Sequence, residues 1–125
     1  MINLFFNSDK QFDEVAILIF TSLGIENYLE GESSNVLGGY YFSYNVFGIE
    51  IKLEQNSYDY EGQFNHMIHI KENSMHSLKI DSSIENMVAG IVLKLLCNNL
   101  NVQLAIEKGN ELLMVSQDNI FEVTQ

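Results

Sequence analysis

Ile49-Glu50-Ile51-Lys52-Leu53-Glu54 is the stretch that decides how this chain folds. Apolar side chains at 49, 51 and 53 alternate with charged ones at 50, 52 and 54, and successive residues of a strand point to opposite faces. One apolar and one charged face over six residues predict a strand that lies on a core and turns Glu50, Lys52 and Glu54 outward. Just before it, Tyr40, Phe42, Tyr44 and Val46 alternate with Tyr41, Ser43 and Asn45. This predicts a second strand, with Gly48 marking the reversal or a bulge between the two. A polar loop over residues 55–63 follows, containing Tyr58-Asp59-Tyr60-Glu61-Gly62, and a third strand is expected over about 64–71.

Helical spacing flanks this β region. Phe12, Val15, Ala16, Ile19, Phe20 and Leu23 recur at three- and four-residue intervals, with Gly24 as the stop. Ser8 and Gln11 stand at capping-box spacing, so a helix is expected over about 9–23. Residues 25–35 are polar and acidic and read as a connection. Ser82 and Glu85 form a second box before an almost wholly apolar stretch from Met87 to Cys97, the expected central helix. Asn98-Asn99 ends it. Val102, Leu104 and Ile106 alternate with Gln103, Ala105 and Glu107, and Leu112 to Val115 follows a Lys108-Gly109-Asn110 turn, giving two more strands. The expected fold is α+β, an antiparallel sheet of about five strands with two helices on one face, in the order α-β-β-β-α-β-β. Without proline, a Gly/Ser-rich linker or an internal repeat, residues 1–125 are expected to form a single domain.

Composition narrows the function classes. Six Lys, no Arg and seventeen Asp and Glu give a formal net charge of −11. Such a chain repels phosphate backbones and anionic lipid surfaces, so direct nucleic-acid or membrane binding is not expected. A basic protein partner is attracted, mainly through a faster encounter. Cys97 is the lone cysteine, sits in an apolar run and is expected to be a buried structural thiol. Residues 1–10 lack the features of a secretory leader, and the longest strongly apolar run, 15–20, is too short to span a bilayer, so a cytoplasmic location is expected.

No catalytic, cofactor or metal motif stands out. His66 and His69 are three apart in a predicted strand and point to opposite faces, so they are not expected to share an ion, and His76 lies outside that strand. The acids lie in polar surroundings, and no phosphate-cradling glycine loop or nucleophile elbow occurs. The protein is therefore not expected to be an enzyme, and no cofactor is expected. The most partner-like feature is the loop Tyr58, Asp59, Tyr60 and Glu61 with the outward Glu50 and Glu54 before it, since tyrosines supply rigid contact area and carboxylates pair with Lys or Arg. The competing expectation is a turn whose tyrosines pack back on the sheet edge.

The segment from Glu32-Ser33-Ser34-Asn35-Val36-Leu37-Gly38-Gly39-Tyr40-Tyr41, through Ile49 to Glu54, to Tyr58-Asp59-Tyr60-Glu61 resembles immunity proteins of contact-dependent growth inhibition systems. The resemblance covers the central third of the chain. It implies a small bacterial cytosolic protein, monomeric in a 1:1 complex, that neutralises the C-terminal toxin domain of an exported effector. Such a domain is often a basic nuclease. The expected order of elements is also similar to that of type III secretion chaperones, dimers that hold an effector segment through apolar grooves. A small enzyme or ligand binder is the remaining class and would require an apolar pocket with converging polar groups.

Overall fold

The computed structural model describes residues 1–57, 60, 62–73, 82–116 and 118–119. Among them run β1 (Ile2–Phe6), α1 (Phe12–Ser22), β2 (Leu29–Glu32), β3 (Leu37–Val46), β4 (Ile49–Gln55), β5 (His66–Glu72), α2 (Ser82–Asn99), β6 (Leu104–Lys108) and β7 (Glu111–Val115). The strands form a seven-stranded sheet in the order β2-β3-β4-β5-β1-β6-β7. Every neighbouring pair is antiparallel. The α+β class and the antiparallel sheet agree with the sequence reading. The strand number and order do not: β1 and β2 were not expected, and the order is β-α-β-β-β-β-α-β-β.

β1 was hidden because it is a central strand apolar on both faces. Leu4 and Phe6 enter the main core while Phe5 enters a smaller cluster on the opposite face. Such strands lose the period-two signature. Its partners, β5 and β6, lie far along the chain and run parallel to one another on either side of it. β2 failed to show for the opposite reason. Leu29-Glu30-Gly31-Glu32 is a short edge strand with three of its four residues exposed, so it carries no apolar stripe.

Both helices contribute to the main core, α1 through Phe12, Val15, Ile19 and Phe20 and α2 through Val88, Val92, Leu93 and Leu96. These meet the even-numbered residues of β1, β3, β5 and β6 and the odd-numbered ones of β4. Each fully buried aliphatic or aromatic side chain there contributes about 1.5–3 kcal/mol. On the other face, the buried apolar cluster among the described residues is that of Phe5, Phe64, Met67 and Ala105. Among the described residues no helix is long and apolar enough to cross a membrane.

The stop of α1 is as expected. Gly24 takes φ +73°, Ile25 N–H donates to Phe20 O and Gly24 N–H to Thr21 O, a Schellman ending. The start is not. Gln11 is the N-cap and makes no side-chain cap bond, and the helix begins at Phe12. Ser8 is held instead by Asn65, whose Oδ1 accepts from Ser8 N–H and whose Nδ2 donates to Ser8 O. Glu85 of the second expected box makes two contacts outside its helix. Glu85 Oε1 is 2.6 Å from the Met1 ammonium, and Oε2 accepts from Glu72 N–H.

Candidate functional site

The face of the sheet without helices carries a polar ladder running across the strands. At its β6 end, Asn3 Nδ2 donates to Glu107 Oε1 at 3.1 Å. That bond turns Asn3 Oδ1 toward His69 Nδ1, 2.7 Å away, while Nε2 of the same ring lies 3.1 Å from Glu54 Oε1. Both ring nitrogens therefore face side-chain oxygens, Nδ1 the Asn3 amide and Nε2 the Glu54 carboxylate. Glu54 Oε2 lies 3.6 Å from Lys52 Nζ, and that ammonium stands over the Tyr41 ring, 4.4 Å from its centroid. Tyr41 in turn lies across Gly31 on β2, occupying the space a β-carbon there would need. Six of the seven strands are linked in this way.

Alternation places these groups together. Lys52 and Glu54 are neighbours on one face of β4, and His69 pairs with Lys52 in the β4–β5 register and with Asn3 in the β1–β5 register. The ladder floors a concavity of about 410 Å³ that Lys71 and Met67 also line. Burial alone would raise the Glu54 carboxyl. The hydrogen bond and charge of His69, with the charge of Lys52, outweigh it and hold the group below the ordinary carboxylate value. Both ring nitrogens of His69 and one site on each oxygen of Glu54 are engaged within the ladder. As arranged, the ladder binds strands in register and sets a mixed-charge floor.

No known protein family, curated protein or solved structure matches this chain.

The residues singled out in the sequence divide. Glu54 is corrected: it is buried rather than turned to solvent, because His69 and Lys52 converge on it. Glu50 is half-buried on the same face, with its carboxylate 3.9 Å from Lys71 Nζ. Tyr60 packs edge-on against Phe5, centroids 5.4 Å apart, in a left-handed backbone conformation at φ +65°. It closes the satellite cluster, which is the packing role weighed against partner contact. Tyr58, Asp59 and Glu61 lie outside the described residues, as does His76. His66 and His69 occupy opposite faces, as alternation requires: His66 stacks on Phe6 and Phe12 on the helix side. Burial holds the His66 imidazole below its ordinary value. Among the described residues no three His, Cys, Asp or Glu side chains stand together in a way that could hold a metal ion.

Two surfaces were not found from the sequence. The first is acidic. Tyr40 O–H donates to Asp13 Oδ1 at 2.9 Å, joining the first turn of α1 to β3. The Tyr40 hydroxyl is raised above its ordinary value by that bond, with burial and the charges of Asp13 and Glu30 adding to it. Asp13, Glu30 and Glu32 are exposed there, and none has a cationic partner among the described residues. The second is apolar, a groove of about 240 Å³ between the β3–β4 hairpin and α2. Tyr44, Val46 and Phe47 form one wall, and Met87, Ile91 and Leu95 form the other.

Proposed function

We propose that this protein is an immunity protein, a non-catalytic inhibitor that binds a cognate toxin domain in the cytosol and occludes it stoichiometrically. The observation that carries the reading is uncompensated acidity. The β2 edge and the start of α1 expose Asp13, Glu30 and Glu32 without counter-charges among the described residues, in a chain of net charge −11 that contains no arginine. Unpaired carboxylates beside a tyrosine attract a basic surface, steer its approach and offer hydrogen-bonding contact. A nuclease domain, whose substrate cleft is cationic, is the partner class that fits, with the acids standing in for phosphates.

The test is capture of partners by the tagged protein from its source cells, followed by expression of what is captured. Recovery of a basic C-terminal fragment of an exported protein, toxic alone and harmless beside this chain, supports the reading. A captured fragment that stays toxic beside this chain sinks it. The apolar groove favours a second reading, an adaptor that shields an apolar effector segment. An intact exported protein, held in a way that leaves Asp13, Glu30 and Glu32 open, would favour that alternative.

A further inference from the structure

β2 ends the sheet, and its outer side is a row of backbone groups that no described strand pairs with. In an antiparallel ladder, successive residues turn their N–H and C=O alternately toward the neighbouring strand and away from it. Gly31 lies opposite Tyr41 and Glu32 opposite Tyr40, and Ser33 N–H, one step further on, donates to Gly39 O of β3. That bond sets the alternation. Leu29, Gly31 and Ser33 face β3, so the N–H and C=O of Glu30 and Glu32 point to the open edge. Leu29-Glu30-Gly31-Glu32 holds no lysine or proline, and its register with β3 is unbroken, so the two glutamates are its only guard against a further strand. At the far edge of the sheet, by contrast, Asn119 Nδ2 already donates to Met114 O of β7.

Charge decides what such an edge accepts. Glu30 and Glu32 stand opposite Phe42 and Tyr40 on the helix side of the sheet, where Tyr40 O–H reaches Asp13 at the start of α1. Three carboxylates thus flank the open edge on one side, and neither β2 nor β3 contains a lysine to answer them. On the other side Leu29 is 65% exposed, and the Tyr41 ring lies across Gly31. A second copy paired edge to edge would set glutamate beside glutamate, which like charges on neighbouring strands oppose. An extended segment with Lys or Arg at alternate positions meets the opposite condition. Its cations face Glu30, Glu32 and Asp13, and the residues between them face Leu29 and Tyr41.

We propose that the β2 edge takes its partner by strand addition: an extended, basic segment of the partner pairs with the outward N–H and C=O of Glu30 and Glu32 and lengthens the sheet by one strand. The proposal rests on the toxin-binding reading only in taking the acidic edge as the partner's site. It adds the form of what docks there, main-chain pairing for hold and alternate cations for selection.

Amide hydrogen exchange of the full chain, followed by NMR with and without a blocked synthetic peptide of alternating Lys and Val, tests it. In the free protein Gly31 N–H should exchange more slowly than Glu30 and Glu32 N–H, because only the first is bonded to β3. Millimolar peptide should slow Glu30 and Glu32 at least about threefold, and added salt should weaken the effect. Two N-methylated peptides, each blocking alternate amides, separate backbone pairing from charge. One should lose binding and the other keep it, because only one set of amides can face β2. Glu30 and Glu32 amides already slow in the free chain would overturn the proposal. So would amides that the peptide leaves unprotected, or N-methylated forms that bind equally. A toxic fragment neutralised by this chain with Glu30 and Glu32 exchange unchanged would sink strand addition and leave the immunity reading standing.

Discussion

Glu54 and His69, fifteen residues apart in sequence, meet at 3.1 Å on the face of the sheet that neither helix covers. Glu54 is 2% exposed, so its charge is stable only because His69 and Lys52 answer it. Removing one member of a buried pair leaves the other uncompensated. Glu54→Ala should cost about 3 kcal/mol of unfolding free energy, read from urea denaturation. In a double-mutant cycle with His69→Ala the two losses should fall well short of additivity. Additive losses would mean that the pair does not act as a unit.

Acid sensitivity should come in two stages. Burial lowers the folded value of His66, so on acidification the unfolded chain takes up the proton first. Stability therefore declines as pH falls below about 6.5, the free imidazole value. Glu54 has a folded value below its unfolded one, so its contribution is complete above about 4.3 and is lost as pH falls through the folded value. Urea midpoints measured across this range should show the upper decline flattened in His66→Phe and the lower one flattened in Glu54→Gln. Identical upper limbs for wild type and His66→Phe would refute the first assignment.

Gly31 matters through its neighbour across the strands. A β-carbon there would run into the Tyr41 ring, the far end of a side chain that can move, but only by leaving Lys52. Gly31→Ala should therefore cost on the order of 1 kcal/mol, comparable to the cation–π contact it disturbs. Tyr41→Leu should make the same substitution nearly neutral. A full cost in the Tyr41→Leu background would place the strain in the backbone of β2.

Reversal of the unpaired acids should act on encounter. Asp13→Lys, Glu30→Lys and Glu32→Lys together should slow association with a basic partner at least about tenfold at low salt and much less at high salt. Melting temperature should fall only by what the Asp13–Tyr40 hydrogen bond contributes, about 1 kcal/mol, because none of the three has an ion pair to lose among the described residues. Stopped-flow mixing at two ionic strengths reads this directly. A rate loss equal at both would locate the effect in packing.

Cys97 lies half-buried against the main core, and burial raises its thiol above the ordinary value. Its reaction with a thiol reagent at neutral pH should be at least about tenfold slower in the folded protein than in urea. Equal rates would show that the α2 packing opens freely.

What the sequence by itself determined is whatever repeats over a few neighbouring residues. The alternation at 49–54 set the two faces of β4, the spacing from Phe12 to Leu23 set α1, and Gly24 ended it. The −11 charge set the sign of the field the chain presents. The tertiary structure alone decided which strands meet. β1 is specified by β5 and β6, which approach it only after loops of many residues close, and its two apolar faces leave no local period to read. That same closure made Glu54 a buried group, because the residue that neutralises it comes from the next strand and no reading of β4 alone contains it. It also gathered Asp13 with the β2 edge, and Phe47 with Met87. Local pattern encodes which way a side chain points; only the register of distant strands and helices encodes what it finds there.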